Sequence, residues 1–267
     1  MIYSYTQISQ YLTCPRKYRH RYLDGWQEKE TRAGLLFGRA FEQALAAYFH
    51  RQDATEVLFK QWSQYQNTTL DYSHGDNWDR MLQQGIKLLE LFAQQDRVEI
   101  RYPKRNLQIK VSRPLSATSQ FVAYVDAFGY LDGTRCVIDW KTTAARYPDQ
   151  PEGLLALDPQ LVCYSWLTNQ PEVAFVVFVR KRLPEIQYLR ATITEEQRRE
   201  FGALVRDAVA QIEAGQFLPH SGIRFPQNGC VGCAYVGLCL KDQSLVDRRL
   251  KRCPGAEAYA WLDELAA

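Results

Sequence analysis

The apolar positions of this chain change period along its length, and the changes mark its elements. Leu36, Phe37, Ala40, Phe41, Ala44, Leu45 and Tyr48 recur at spacings of three and four, which predicts a helix from Gly34 to Arg51. Residues 54–66 and 77–96 carry the same spacing, with a polar link rich in Asn, Thr, Asp, Ser and Gly between them. At 107–113 the period drops to two, with Leu107, Ile109 and Val111 on one face of a predicted strand. Two further β-type runs follow. Phe121 to Val125 leads into Asp126, and Cys136 to Ile138 delivers Asp139, Trp140 and Lys141, with a turn at Asp132-Gly133 between the runs. Two such runs about a turn predict a hairpin. Val173 to Val179 is unbroken apolar sequence, as in a strand covered on both faces. The alternation from Ile186 to Ile193 makes that segment its neighbour.

End signals sharpen these boundaries. Ser4 and Gln7 fit a capping box, predicting a short helix to about Thr13. Cys14-Pro15 ends it, and Pro15 suits the first turn of a second, basic helix reaching about Gly25. Trp26 to Ala33 reads as charged and irregular. Asp158-Pro159 supplies a cap and a first-turn proline for another helix, and Thr194 with Gln197 opens one running to about Ala214. The C-terminal part reads as loop, punctuated by Gly and Pro, before a short helix over Ala256 to Leu265. No repeat or low-complexity tract interrupts the order. Helices, three strands, a helix and further strands amount to a mixed α/β domain.

Composition adds bounds. A chain of 267 residues, 46% hydrophobic and 24% charged, suits one elaborated globular domain or two small ones. The expected organisation is a single domain over 1–267, with a core at 34–193 and terminal segments 1–33 and 194–267. No apolar run approaches the roughly 20 residues a membrane helix needs. Met1 to Tyr5 lacks a basic region followed by an apolar stretch. A cytoplasmic protein without membrane association is therefore expected. A net charge of +3 does not by itself argue for nucleic acid. Phosphate contacts would fall to local groups such as Arg16, Lys17, Arg19 and Arg21, or Lys104 and Arg105. Arg180, Lys181 and Arg182, or Arg248, Arg249, Lys251 and Arg252, are further candidates. Each such set is more often just a solubilising face.

The chemistry concentrates at the hairpin. Asp139 and Lys141, two apart on a strand, point the same way. With Asp126 nearby, that face could hold a divalent ion with an ammonium beside it. Asp-x-Lys also occurs as a plain solvated ion pair. Gly34, Gly38 and Glu42 form one helical stripe along which another backbone could approach, so that Glu42 projects beyond it. The alternative for Glu42 is an exposed helix glutamate. Gln160 and Tyr164 lie one turn apart on the helix opened by Asp158.

Seven cysteines in a chain read as cytoplasmic argue against a disulfide framework. Cys230, Cys233 and Cys239 have ligand-like spacing, and Cys14, at a helix junction, is the fourth candidate. Spacing alone leaves zinc and iron–sulfur open. Cys136 and Cys163 fall in core-like patterns, and Cys253 is a spare. A metal held by these sulfurs would clip the chain ends together.

Asp126, Asp139-x-Lys141 and Gln160-x3-Tyr164, preceded by the helix bearing Gly38 and Glu42, resemble the RecB-type branch of the PD-(D/E)XK nuclease superfamily. Cys14 with the later Cys-x2-Cys-x5-Cys resembles its iron–sulfur members, the CRISPR-associated RecB-like exonucleases and AddB-type nucleases. The resemblance spans most of the chain; residues 54–96 are its least distinctive part. It implies a mixed sheet flanked by helices and stapled by a 4Fe-4S cluster on the four cysteines, with zinc the lesser alternative. It also implies a metal-dependent DNA exonuclease acting on single-stranded ends. Asp126, Asp139 and the Trp140 carbonyl would hold Mg2+ or Mn2+, and Glu42 would hold it through a water or hold a second ion. Lys141 would act on the attacking water or the phosphate, and Gln160 and Tyr164 on the substrate backbone. Many RecB-like members carry histidine where this chain has Glu42. Two other readings remain: an inactive DNA-binding module serving a helicase or a recombination or integration protein, and a zinc-stapled adaptor.

Overall fold

The computed structural model describes residues 1–72, 75–148, 150, 153–219 and 228–253. The helix expected at Ala256 to Leu265 lies outside them. In chain order the elements begin with β1 (Ile2–Ser4), α1 (Tyr5–Thr13), α2 (Pro15–Tyr18), a π-helical turn (Arg19–Leu23) and β2 (Trp26–Glu28). Then come α3 (Ala33–Phe49), α4 (Ala54–Ser63), α5 (Trp78–Gln95), β3 (Val98–Glu99), α6 (Pro103–Asn106) and β4 (Leu107–Pro114). The hairpin β5 (Gln120–Leu131) and β6 (Thr134–Thr143) precedes α7 (Pro159–Thr168), β7 (Glu172–Val179), β8 (Glu185–Thr192) and α8 (Glu195–Glu213). The last elements are α9 (Asn228–Val231), α10 (Val236–Leu240), α11 (Gln243–Arg249) and β9 (Leu250–Arg252). Two compact units result. One contains Met1–Glu30, Ser112–Ala123 and the chain from Gly202; the other contains Thr31–Val111 and Tyr124–Phe201.

The larger unit holds a mixed sheet flanked by helices. β5 and β6 pair antiparallel from Ala127 opposite Ile138 to Leu131 opposite Thr134. Asp132 and Gly133 between them both have positive φ, 49° and 77°, the pattern of a tight hairpin turn whose twist matches the strands. β6 then runs parallel to β7, and β7 antiparallel to β8. A parallel neighbour needs a crossover, and the segment carrying α7 provides it. The β5 run does not stop at Asp126; it continues to Leu131 because the residues beyond still have ladder partners on β6.

One core joins three helices to one face of this sheet. Phe37, Phe41 and Leu45 of α3 pack with Leu58 and Trp62 of α4, Leu88 and Phe92 of α5, and Ile138, Trp140, Val176 and Phe178 of the strands. Each buried apolar side chain of this size contributes about 1.5–3 kcal/mol. The indoles of Trp62 and Trp78 donate to each other's backbone carbonyls at 3.1 and 3.0 Å. Both polar ring groups are thereby satisfied inside the apolar packing. The close approach expected along the Gly34/Gly38 stripe is confined to one position. A Cβ at Gly38 would stand 3.3 Å from Thr142 Oγ1 on β6, whereas one at Gly34 would meet nothing within 4 Å.

In the smaller unit the capping box of α1 is present. Ser4 N–H donates to Gln7 Oε1 at 2.8 Å, and Gln7 N–H donates to Ser4 Oγ at 3.3 Å. β1 lies parallel to Gln120–Val122. The basic helix after Pro15 widens into the π-helical turn, with Asp24 N–H donating to the Arg19 carbonyl. Two expectations are corrected here. Trp26–Glu28 is a strand paired antiparallel with Leu250–Arg252, not irregular chain. The segment with the late cysteines forms α9, α10, α11 and β9 around Tyr235, Val246 and Leu250. Among the described residues, no helix is long and apolar enough to cross a membrane.

Candidate active site

On β6, Trp140 turns into the apolar core while Asp139 and Lys141 occupy the opposite face, where α7 lies. α7 starts where it does because Pro159 opens its first turn and Asp158 caps it, its Oδ1 accepting from the N–H groups of Gln160 and Leu161. That cap aims Gln160 at the strand. Gln160 Nε2 donates to Asp139 Oδ1 at 2.9 Å and to the Tyr164 hydroxyl oxygen at 2.9 Å. Its Oε1 accepts from Lys141 Nζ at 2.8 Å. Lys141 Nζ closes the ring on Asp139 Oδ2 at 2.6 Å. Asp126 sits one residue beyond the last paired position of β5. There its side chain replaces the ladder, Oδ2 accepting the Trp140 N–H at 2.8 Å.

The structure therefore brings Asp126, Asp139, Lys141, Gln160 and Tyr164 into one hydrogen-bonded constellation. Glu42 lies outside its hydrogen bonds. It is held by Gln108, whose Nε2 donates to Glu42 Oε1 at 3.2 Å, and it feels the charges of Asp139, Lys141 and Arg39.

Charge and burial shape what this arrangement can do. Burial, then the charges of Asp139 and Glu42, push the Asp126 carboxyl well above the usual carboxylate range. Asp139, only 1% exposed, is raised by burial although Lys141 opposes the shift. Glu42 is raised mainly by burial. Burial acts to lower the Lys141 ammonium, but the neighbouring Asp139 and Asp126 outweigh it, and the net shift is upward. Burial and the two aspartates raise the Tyr164 hydroxyl well above its usual range. Three carboxyl groups thus share one ammonium in a partly buried setting. All-oxygen donors short of positive charge suit a hard divalent ion, which would restore the carboxylates to their charged form. Among the described residues, however, no three His, Cys, Asp or Glu side chains converge closely enough to enclose a metal by themselves.

Several neighbours carry no motif and escaped the sequence reading. Gln108, at φ 51°, reaches Glu42 from β4. Phe175 pairs with Asp139 across β6 and β7 and places its ring 5.2 Å from Lys141 Nζ. The Tyr147 hydroxyl is raised by burial and feels Lys141, Asp139 and Asp158. Arg180 is no surface group: it is buried and paired with Asp76 at 2.8 Å.

Cys14, Cys230, Cys233, Cys239 and Cys253 lie in the smaller unit. Cys14 and Cys233 are half-buried, Cys230 and Cys239 exposed, and Cys253 buried. Burial first, then the charges of Cys239 and Cys14, raise the Cys233 thiol, while Lys17 lowers it. Sulfurs from both ends of the chain therefore come within electrostatic range of one another. Cys136 and Cys163 are fully buried, as their strand and helix patterns implied.

A mixed α/β unit presenting acids and a lysine from a hairpin, gripped by a glutamine from the crossover helix, defines a class with a known counterpart. The model of the PD-(D/E)XK nuclease superfamily matches residues 2–240, and the chain belongs to that superfamily, whose nucleases typically use divalent ions such as Mg2+ or Mn2+. None of the curated proteins matches it significantly. Among solved structures, a provisionally assigned exonuclease from Eubacterium rectale is 10% identical, with TM-score 0.48, covering 84% of this chain and 89% of that one. LHK-Exo in complex with dAMP is 13% identical, with TM-score 0.33, over 68% of this chain and 93% of its own.

Proposed function

We propose that this nuclease-superfamily member is a metal-dependent deoxyribonuclease that hydrolyses phosphodiester bonds at single-stranded ends, in the manner of the RecB-type exonucleases. The observation that carries the reading is the closed Asp139–Lys141–Gln160 ring beside half-buried Asp126. Asp126, Asp139 and the Trp140 carbonyl would hold Mg2+ or Mn2+. When bound, the ion supplies a Lewis acid and lowers the pKa of a water. Lys141 orients the attacking oxygen and stabilises negative charge on the phosphate, because its ammonium is fixed from two sides before substrate arrives. Gln160 keeps Asp139 and Lys141 in register, and Tyr164 braces Gln160. Glu42, anchored by Gln108, would offer a further carboxylate to this ion or to a second one.

The same reading gives Cys14, Cys230, Cys233 and Cys239 a structural 4Fe-4S cluster, with zinc the lesser alternative. Their spacing supports it, as does the approach of Cys14 and Cys239 to Cys233, whose thiol feels both. A helicase or a recombination or integration protein is the partner this reading suggests.

End-labelled single- and double-stranded DNA, incubated with Mg2+, Mn2+ or EDTA, tests the activity. Metal-dependent release of label from single strands, lost in Lys141→Ala, is expected. Binding without turnover would make the protein a DNA-binding module. Neither binding nor turnover would leave an adaptor with an ordinary ion pair.

A further inference from the structure

Beside the charged constellation lies a cavity of about 480 Å3, between the segment around Tyr147 to Asp158 and the strands β7 and β8. That volume falls within the range of small-ligand sites, and its lining is largely apolar, as such sites usually are. Two of its wall residues also belong to the candidate active site. Phe175 carries the Lys141 ammonium over its ring, and Asp158 caps the turn that aims Gln160. The cavity therefore shares part of its wall with the candidate active site.

Its aromatic wall is built rather than incidental. Tyr147 N–H donates to Gln187 Oε1 at 2.8 Å, and Gln187 Nε2 donates to the Tyr147 carbonyl at 3.0 Å. This two-point clamp pins an otherwise irregular stretch to β8. It holds the Tyr147 ring edge-on to Phe175, with centroids 5.9 Å apart and planes at 83°. Phe175, 2% exposed and covered by Lys141, backs the half-buried Tyr147 ring, which is the aromatic surface left for a third flat ring to stack upon. Leu189, opposite Phe175 in the β7–β8 register, and Leu155 supply further apolar wall.

We propose that this cavity receives the unpaired nucleobase of the nucleotide adjoining the bond to be cut, with Tyr147, backed by Phe175, as its stacking ring. The inference rests on the deoxyribonuclease reading above and deepens it, because a base in a duplex is committed to its partner and cannot enter. Preference for single-stranded ends would then come from this cavity, while the carboxylates read only phosphate. Gln187 acts as a positioning residue through the Tyr147 backbone.

A double-mutant design tests it. Binding of fluorescent single-stranded oligonucleotides is measured in Ca2+, and cleavage in Mg2+, with either an intact terminal nucleotide or an abasic one. Wild-type protein should bind and cleave the abasic strand about tenfold less well. Tyr147→Ala should weaken the intact strand by a similar factor and show no further loss with the abasic one. Tyr147→Phe, which keeps the ring, should behave as wild type, and Leu189→Trp, which fills the cavity, should match Tyr147→Ala. Circular dichroism excludes misfolded variants. Additive losses for Tyr147→Ala and the abasic strand, or no loss in either, would overturn the proposal while cleavage itself upholds the parent reading. If wild-type protein neither binds nor cuts any of these strands, both fall together.

Discussion

Replacing Lys141 by methionine separates the structural from the chemical duty of one ammonium. The change keeps side-chain length and removes the charge. Asp139, 1% exposed, then loses its ion-pair partner, and Gln160 Oε1 loses a donor. Breaking a buried pair costs about 3–5 kcal/mol. Lys141 is a quarter exposed, so water already screens part of the attraction. About 2–3 kcal/mol is the reasonable figure, or roughly 5–10 °C in Tm for a chain of this size. The pH dependence has a definite sign. The folded Asp139 carboxyl is raised above its ordinary value, and losing Lys141 raises it further. A raised acid is penalised once pH exceeds its unfolded value and folds most comfortably when protonated. The metal-free variant should therefore lag wild type most at pH 8 and less at pH 5. Adding Mg2+ should narrow it at pH 8. Cleavage should fall about 30- to 900-fold, the range for loss of a positioned charge worth about 2–4 kcal/mol. Thermal unfolding in EDTA and in Mg2+ at both pH values, alongside single-turnover cleavage, makes the measurement. Unchanged Tm at pH 8 without metal, or cleavage within about threefold of wild type, refutes the reasoning.

Other consequences follow from the same geometry. Asp126→Asn removes a half-buried acid raised by desolvation and by two like charges, so the metal-free variant should melt above wild type at pH 8. It should lose the stabilisation that Mg2+ gives wild type, read in the same unfolding assay. Gly129→Ala would drive a Cβ into Ile100 Cδ1 and to 2.8 Å from the Glu99 carbonyl, so chemical denaturation should show a loss of about 3 kcal/mol. Cys233→Ala should bleach a brown protein and release iron and sulfide; colourless protein with stoichiometric zinc would assign the sulfurs to zinc instead.

Much of the architecture was legible because its cues are local. The Asp158-Pro159 cap, the Ser4/Gln7 box and the Asp132-Gly133 turn each lie within a few residues and survive folding unchanged. The unbroken run at Val173–Val179 is typical of a strand covered on both sides, and β7 is such a strand. What escaped depends on partners distant in sequence. Trp26–Glu28 is extended because Leu250–Arg252 pairs with it, and neither segment alternates long enough to declare itself. α9, α10 and α11 are too short to display a period. Gly34 and Gly38 look alike in sequence, yet only Gly38 meets a neighbour, because only there does α3 pass over Thr142. At the site, Asp139 and Lys141 were placed on one face by strand geometry alone. The hydrogen bonds that Gln160 makes to both, the hold of Gln108 on Glu42 and the cavity beside Tyr147 arise only when crossover, strand and helix meet.

The central claim is that Asp126 and Asp139 together hold a divalent ion against a phosphodiester. Anomalous scattering from crystals soaked in Mn2+ addresses it most directly. A single strong peak within bonding distance of both carboxylates, absent in Asp126→Asn, is the result predicted here. Manganese bound elsewhere, with Lys141 still seated on Asp139 and no density between the two acids, would contradict it.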